Sequence, residues 1–284
     1  MFMKQLFTAT ALVGAFLAGP LAVSAGNITV KGSDTMVILG QKWAETYMAK
    51  NPGTKIQVTG GGTGTGFAAL QNKATDLCNA SRSIKSKETA ACVVAFGKRP
   101  TEYKVALDGL SVYVHESNPV KELTLEQVEL IFTGRIKNWK EVGGKDAPII
   151  LYSRENSSGT YEFFKEHVLK GKDFAAAAQP LSGTALVIQS VAKEPNGIGY
   201  GGAAYAAGVK HLFVKKDAGS PAIEPTEENV TNQKYPIWRY LYIYLNPALD
   251  KGEVAAYLNW IRSDEGQKVV KEVGYFPLPK NLRE

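Results

Sequence analysis

Histidine and cysteine are scarce in this chain: its 284 residues contain three of the first and two of the second. His115, His167 and His211 are scattered, without the spacing that gathers ligands around one metal ion. A metal-dependent phosphatase would need His and Asp clusters that do not occur here. A serine hydrolase needs a base beside its nucleophile, yet the G-x-S-x-G elbow is absent and no histidine has an evident partner. No CxxC redox pair occurs, nor the GK[ST] ending of a phosphate-binding P-loop. Beyond the N-terminal stretch no apolar run is long enough to span a bilayer. The net charge of +6 favours approach of a small anion without establishing one, and no nucleic-acid partner is expected.

What is present begins with a leader. Lys4 precedes an apolar run that ends in Val23-Ser24-Ala25, the small-residue pattern of a secretory signal peptide cleaved after Ala25. Gly14, Gly19 and Pro20 interrupt the run, which argues against a membrane anchor. No Cys follows it, which argues against a lipidated N-terminus. The mature chain of 259 residues, with net charge +5, can form two modest domains or one large one. An exported chain with two cysteines is expected to bridge them. A Cys78–Cys92 disulfide would close a loop of about 15 residues, worth about 3 kcal/mol, against the alternative of two buried free thiols.

The first half alternates strand and helix. Residues 28–32 and 55–59 read as strands, and helical spacing of Met36, Leu39, Trp43 and Tyr47 predicts a helix near 36–50. Phe67 and Leu70 mark a second helix, and 75–84 reads as a short strand leading to a polar turn. That order predicts an α/β fold with a mostly parallel sheet. Thr124 with Gln127 forms a capping box ahead of a helix over 124–132. Residues 133–144 form a loop anchored by Trp139, 148–153 a strand, 221–236 a loop, and 251–263 a helix. Two long strand-like runs, 103–115 and 237–246, each carry the chain from one half to the other. Two crossings make the first domain discontinuous: 26–112 with 239–284, and 113–238 as the second.

Three stretches share one design: GSDTM (32–36), GGGTGTG (60–66) and ENSSGT (155–160). In each, a strand ends, a turn of glycine and hydroxyl residues follows, and a helix begins. Helix starts present unpaired N–H groups and the positive end of the helix dipole, and so bind anions readily. Turns at the carboxyl ends of parallel strands face one crevice, so the three can converge. Arg154 stands directly before the third turn with a fork that fits an oxyanion, and a second Ser-Arg pair occurs at Ser81–Arg82. Each piece alone has a plainer reading. Ser33 or Thr35 can be a helix cap, and Arg154 can pair with Glu155 or Glu162. GGGTGTG lacks the acidic partner of a dinucleotide site. Together they suit a small tetrahedral anion.

KGSDTM, GGGTGTGFAAL, NASRSI, LTLEQVELIFTGRIKNWKEVGG, SRENSSGTYEFF, PNGIGYGG and LNWIRSDEGQKVVKEVGYFPLP occur in this order across nearly all of the mature chain. With them the chain resembles the short periplasmic phosphate-binding proteins of the phosphate ABC transporter. The resemblance implies a two-domain periplasmic binding protein of type II-like fold, with two hinge strands and the ligand in the interdomain cleft. It implies inorganic phosphate as ligand, a membrane permease as partner, no cofactor, no catalysis and a monomer. Motif by motif, it assigns phosphate contacts to the Thr35 hydroxyl, the Met36 N–H, Thr63, Arg154, and the hydroxyls and N–H groups of Ser158, Gly159 and Thr160. Ser81 stands where better-known members carry an aspartate that accepts the phosphate proton. Arg82, beside it, either adds a second cation or is tied to a nearby acid. Without the aspartate, Asp34 or a backbone carbonyl is left to separate phosphate from sulfate. Sulfate, molybdate and tungstate are therefore the nearest rival ligands, and a surface adhesion protein with mere helix caps is the distant one.

Overall fold

The computed structural model describes residues 26–283, so the predicted cleavage after Ala25 lies outside the described residues. The chain opens with β1 (Asn27–Gly32), a 3-10 turn over Asp34–Met36, and α1 (Val37–Lys50). Met36, Leu39, Trp43 and Tyr47 all face the core, as their spacing predicts. β2 (Lys55–Thr59), α2 (Thr63–Gln71), β3 (Leu77–Ala80) and α3 (Ser86–Phe96) follow. β4 (Thr101–Val114) then runs for 14 residues, the last ten buried.

The second half starts with β5 (Glu122–Thr124) and α4 (Leu125–Phe132), whose capping box forms as expected: Gln127 N donates to Thr124 Oγ1 (3.0 Å) and Thr124 N to Gln127 Oε1 (2.9 Å). β6 (Ile150–Arg154) leads into α5 (Gly159–His167), then β7 (Gln179–Leu181), α6 (Thr184–Lys193) and β8 (Gly197–Gly202). Two short strands, β9 (Lys210–His211) and β10 (Phe213–Lys215), precede α7 (Glu227–Thr231). That helix lies inside the stretch expected to be loop, and Thr226 caps it through Asn229 N (3.3 Å). β11 (Trp238–Leu245), α8 (Gly252–Arg262) and α9 (Asp264–Val273) complete the described chain.

The strand order is β2-β1-β3-β11-β4-β8-β6-β7, with β9 on β4 and a separate β5–β10 pair. β1, β2 and β3 are parallel, as are β6, β7 and β8, while β11 and β4 join the two sets by antiparallel pairing. β4 changes partner midway: up to Gly109 it pairs with β11, and from Leu110 it pairs with β8. Each end has its own core. In one, Trp43 Nε1 donates to Gly266 O (2.8 Å) and the Tyr47 and Tyr257 rings lie 5.0 Å apart, fastening α1 to α8 and α9. In the other, Phe132, Phe164 and Tyr200 stack within 4.0–5.5 Å. The turns after β1, β2, β3 and β6 thus sit at carboxyl ends of parallel strands.

The expected disulfide is not formed. Cys78 on β3 and Cys92 on α3 are free and buried, packed with Phe67, Leu70 and Tyr244. They act as small core residues. Burial pushes the Cys78 thiol well above its usual range and the Cys92 thiol up to about 11, which suppresses the thiolate that oxidation requires.

One glycine is fixed by the sheet itself. Gly32 ends β1 at φ 144°, and a Cβ there would stand 2.1 Å from the backbone oxygen of Asn79 in β3. That oxygen also accepts from Ser33 N at 2.8 Å. Gly32→Ala is expected to destabilise the fold by at least about 2 kcal/mol, read as a lower urea midpoint.

Candidate functional site

The hydroxyl turns converge. Ser33 Oγ donates to Ser81 Oγ (2.8 Å), Ser81 N donates to Thr63 Oγ1 (3.1 Å), and Thr35 Oγ1 lies 2.7 Å from Thr160 Oγ1. Gly64 N donates to Ser157 O (2.9 Å), tying the second turn to the third. Ser33, Thr35, Thr63, Ser81, Ser158 and Thr160 are all at most 2% exposed. Gly159 starts α5 so close to the others that an added Cβ would stand 2.3 Å from Thr63 Oγ1 and 2.8 Å from Ser81 Oγ. Of the residues expected at an anion, Thr35, Thr63, Ser81, Ser158, Gly159 and Thr160 are therefore gathered in one buried cluster.

Local bonds leave hydroxyl protons available. Ser158 Oγ caps α5 by accepting from the N–H groups of Thr160 and Tyr161 (both 3.2 Å), so its own proton remains to be donated. Ser81 Oγ accepts from Ser33 and Thr63 Oγ1 accepts from Ser81 N, and since these two hydroxyls lie 3.4 Å apart at least one of their protons remains to be donated elsewhere. A group of hydroxyls already used as acceptors is a donor set, which is what an anion requires.

Arg154 ends β6 at 2% exposure. Its Nη2 donates to Asp34 Oδ2 (2.8 Å) and its Nη1 to Thr184 Oγ1 (2.9 Å). Its Nε is buried without a hydrogen-bond partner. Burial pulls the Arg154 pKa below its usual range, and Asp34 opposes that shift. Asp34 Oδ1 in turn accepts from Gly61 N (2.7 Å), and Tyr205 Oη donates to Asp34 O (2.8 Å). The cation is thus held directly by Asp34 and Thr184, and of its five N–H groups the Nε–H and one on each Nη remain to be used. Arg154 does not pair with Glu155 or Glu162; Glu162 instead pairs with Lys85.

Two expected contacts differ. The Met36 N–H closes its own turn onto Ser33 O (3.0 Å), and the Met36 side chain lies in the core. Arg82 is tied to an acid: Nη1 and Nη2 donate to the two Glu88 oxygens (2.8 and 2.7 Å), and Nη1 also to Ser83 O (2.9 Å). Its guanidinium lies 5.5 Å from the Phe67 ring centre, so it braces the start of α3 and not the hydroxyl cluster. The expectation of a second cation at Arg82 gives way to that fork.

A second cation does reach the cluster, from a residue that sequence reasoning passed over. Arg239 on β11 faces Asp108 on β4 across the antiparallel pair. Its Nε and Nη2 donate to Asp108 Oδ2 (3.0 and 2.7 Å), Nη1 to Ser81 O (3.0 Å), and Nη2 also to Thr160 Oγ1 (3.1 Å). Arg239 is 3% exposed and Asp108 fully buried. The signal was in the sequence: Asp108 in the middle of one long apolar strand run and Arg239 near the start of the other. Tyr275 Oη, also passed over, donates to Thr35 O (2.5 Å).

The described residues hold no group of three or more His, Cys, Asp or Glu that could hold a metal ion, and no helix among them is long and apolar enough to cross a membrane. His167 Nδ1 lies on Phe163 O, His115 on Ser117, and the His211 ring against Tyr113.

Comparison with known proteins follows the same line. A model of the PBP superfamily domain matches residues 20–265. The phosphate-binding protein PstS of Pseudomonas aeruginosa is 36% identical over 100% of this chain and 98% of its own length. PstS of Bacillus subtilis is 33% identical over 90% of this chain and 82% of its own. A crystal structure from Clostridium perfringens, described as a phosphate ABC transporter substrate-binding protein with bound phosphate, superposes with a TM-score of 0.82 at 30% identity, covering 89% of this chain and 100% of that one. The buried donor set at the ends of parallel strands is thus carried on a shared fold, and the chain belongs to the phosphate-binding proteins of the PBP superfamily.

Proposed function

We propose that this protein captures inorganic phosphate outside the cytoplasm and delivers it to the membrane permease of an ABC transporter. The observation that carries the reading is the buried hydroxyl cluster beside Arg154, whose Nε is enclosed without an acceptor. Buried N–H groups in native proteins nearly always have partners, so an orphan beside a set of donors calls for an oxyanion. Phosphate contacts fall to Thr35, Thr63, Ser81, Arg154, Ser158, Gly159 and Thr160.

The lobes are 26–112 with 239–284, and 113–238, with β4 and β11 as hinge strands. The cluster draws on both lobes, and the Lys85–Glu162 ion pair links them nearby. A ligand bridging the lobes favours the closed form by its differential affinity for that form. A micromolar site supplies about 8 kcal/mol in total, part of which can drive closure. The protein acts without catalysis: Ser158 Oγ meets backbone N–H groups and no histidine base. It works as a periplasmic monomer after loss of its leader.

Selectivity rests on Asp34. Its oxygens accept from Gly61 N and Arg154, and a carboxylate has about four lone-pair sites, so capacity remains to accept a proton of phosphate. Sulfate carries no such proton and would face the carboxylate unpaired. Calorimetric titration of ligand-stripped protein with phosphate, sulfate and molybdate, from about pH 5 to about pH 8.5, tests this. Tight one-to-one phosphate binding is expected, with sulfate at least about 10²-fold weaker. Asp34→Asn is expected to narrow that gap to about 10-fold or less. Equal binding of sulfate by the natural protein would make it a broader oxyanion receptor. No heat with any anion would reduce the turns to helix caps.

A further inference from the structure

We infer that Arg239 is a positioning residue for phosphate, acting through the Thr160 hydroxyl and sensing closure from the hinge strands. The inference rests on the phosphate reading above and deepens it.

The geometry has one guanidinium serving four places at once. Arg239 sits on β11 and is held by Asp108 on β4, its direct cross-strand neighbour. From there Nη1 donates to Ser81 O, in the turn after β3, and Nη2 donates to Thr160 Oγ1, in the first turn of α5. The turn after β3 belongs to the first parallel set and α5 to the second, so the fork touches both sides from beneath. Asp108 is held too, since its Oδ1 accepts from Ala203 N (3.2 Å). The guanidinium also lies 5.3 Å from the Phe163 ring centre, one turn along α5. Its contact with Thr160 therefore depends on where α5 stands relative to β11.

The chemistry follows from arginine's lack of an acceptor. A guanidinium can only donate. With Arg239 Nη2 at 3.1 Å, one lone pair of Thr160 Oγ1 is filled by an N–H, and the hydroxyl proton must point elsewhere. The Thr35 hydroxyl lies 2.7 Å away in the cluster, so the proton is left for Thr35 or for an anion bound beside the two hydroxyls. A hydroxyl that accepts from a cation is also polarised, which strengthens its own donation to an anion. Arg239 thus makes Thr160 an obligate donor, and does so only when α5 is drawn in.

A double-mutant cycle tests it. Removing the charge of Arg239 alone would strand Asp108, so the cycle uses Arg239→Gln with Asp108→Asn, which keeps polar groups at both positions. Phosphate Kd and koff are measured by calorimetry and stopped flow for the natural protein, Thr160→Val, the neutral pair, and all three changes together. In the natural background Thr160→Val is expected to weaken phosphate about 10- to 100-fold, mostly by raising koff. In the neutral-pair background the same change is expected to cost less than about 3-fold. Thr160→Ser should restore affinity to within about 3-fold of the natural protein. Equal losses in both backgrounds would overturn the inference and leave Arg239 a purely structural or directly binding residue. If the neutral pair does not fold, Arg239→Met with Asp108→Asn closes the same cycle, since Met keeps the length of the stem and donates nothing to Thr160. If the natural protein itself binds no phosphate, the reading of the whole site fails, and not this step alone.

Discussion

Arg154→Met is expected to weaken phosphate binding by about 10²–10⁴-fold while leaving the protein folded. Arg154 supplies a buried cation at the hydroxyl cluster, and a hydrogen bond to a charged group contributes about 1.5–3 kcal/mol. Two such bonds to one anion give about 3–6 kcal/mol, the range stated. The fold is less sensitive, because the partner left behind, Asp34, has a side chain 20% exposed and can be hydrated. Burial already disfavours the charge on Arg154, so its removal also takes away a desolvated cation. Thermal unfolding separates the two effects. Phosphate at about 1,000 times its Kd should stabilise the natural protein by about 4 kcal/mol, roughly 8–16 °C for a chain of this size. The variant should melt within a few degrees of the natural protein without phosphate and gain little when phosphate is added. Normal phosphate binding by Arg154→Met would remove this cluster from consideration as the anion site.

The parts of the site that were legible in the sequence are those written in local code. A strand end, a glycine-hydroxyl turn and a helix start lie within a few residues of each other, so the turns at Thr35, Thr63 and Ser158 could be read directly. Their convergence followed from the parallel sheet, which the strand–helix alternation implied. Arg154 was legible because it adjoins its turn. Arg82 has the same local setting and a different fate: Glu88, six residues on, takes both ends of its fork. That competitor lies on α3, a helix whose apolar pattern is too mixed to stand out. The same omission hid the true setting of the cysteines, since Cys92 is the α3 residue turned into the core beside Cys78. Compartment suggested a bridge; packing made two buried thiols. Arg239 and Asp108 are 131 residues apart and meet only through the register of β11 on β4. A lone charge in an apolar strand marks a residue with a buried partner, but which partner is a property of the sheet.

Gly159→Ala should separate binding from closure. Gly159 is the first residue of α5, where alanine is intrinsically the better helix former by about 1 kcal/mol, so the isolated lobe should fold at least as well. The obstacle lies across the cleft. An added Cβ would stand 2.3 Å from Thr63 Oγ1, 2.8 Å from Thr63 Cβ and 2.8 Å from Ser81 Oγ. Rotating the Thr63 hydroxyl cannot relieve a clash that also involves its Cβ, and a β-branched side chain has few other rotamers. In the lobe division proposed above, Thr63 belongs to the first lobe and Gly159 to the second, so the strain exists only when the lobes meet. Overpacking of this kind costs about 1–3 kcal/mol. Charged to the closed form, it lowers the binding-competent fraction and weakens phosphate roughly 10- to 100-fold. Small-angle scattering gives the second readout: the natural protein should become more compact with phosphate, and Gly159→Ala should change little at the same concentration. The melting temperature without phosphate should stay the same or rise. A variant that binds and compacts like the natural protein would show that α5 and the Thr63 turn can move apart without loss. The anion site would then tolerate a looser cleft than the contacts at Gly159 imply.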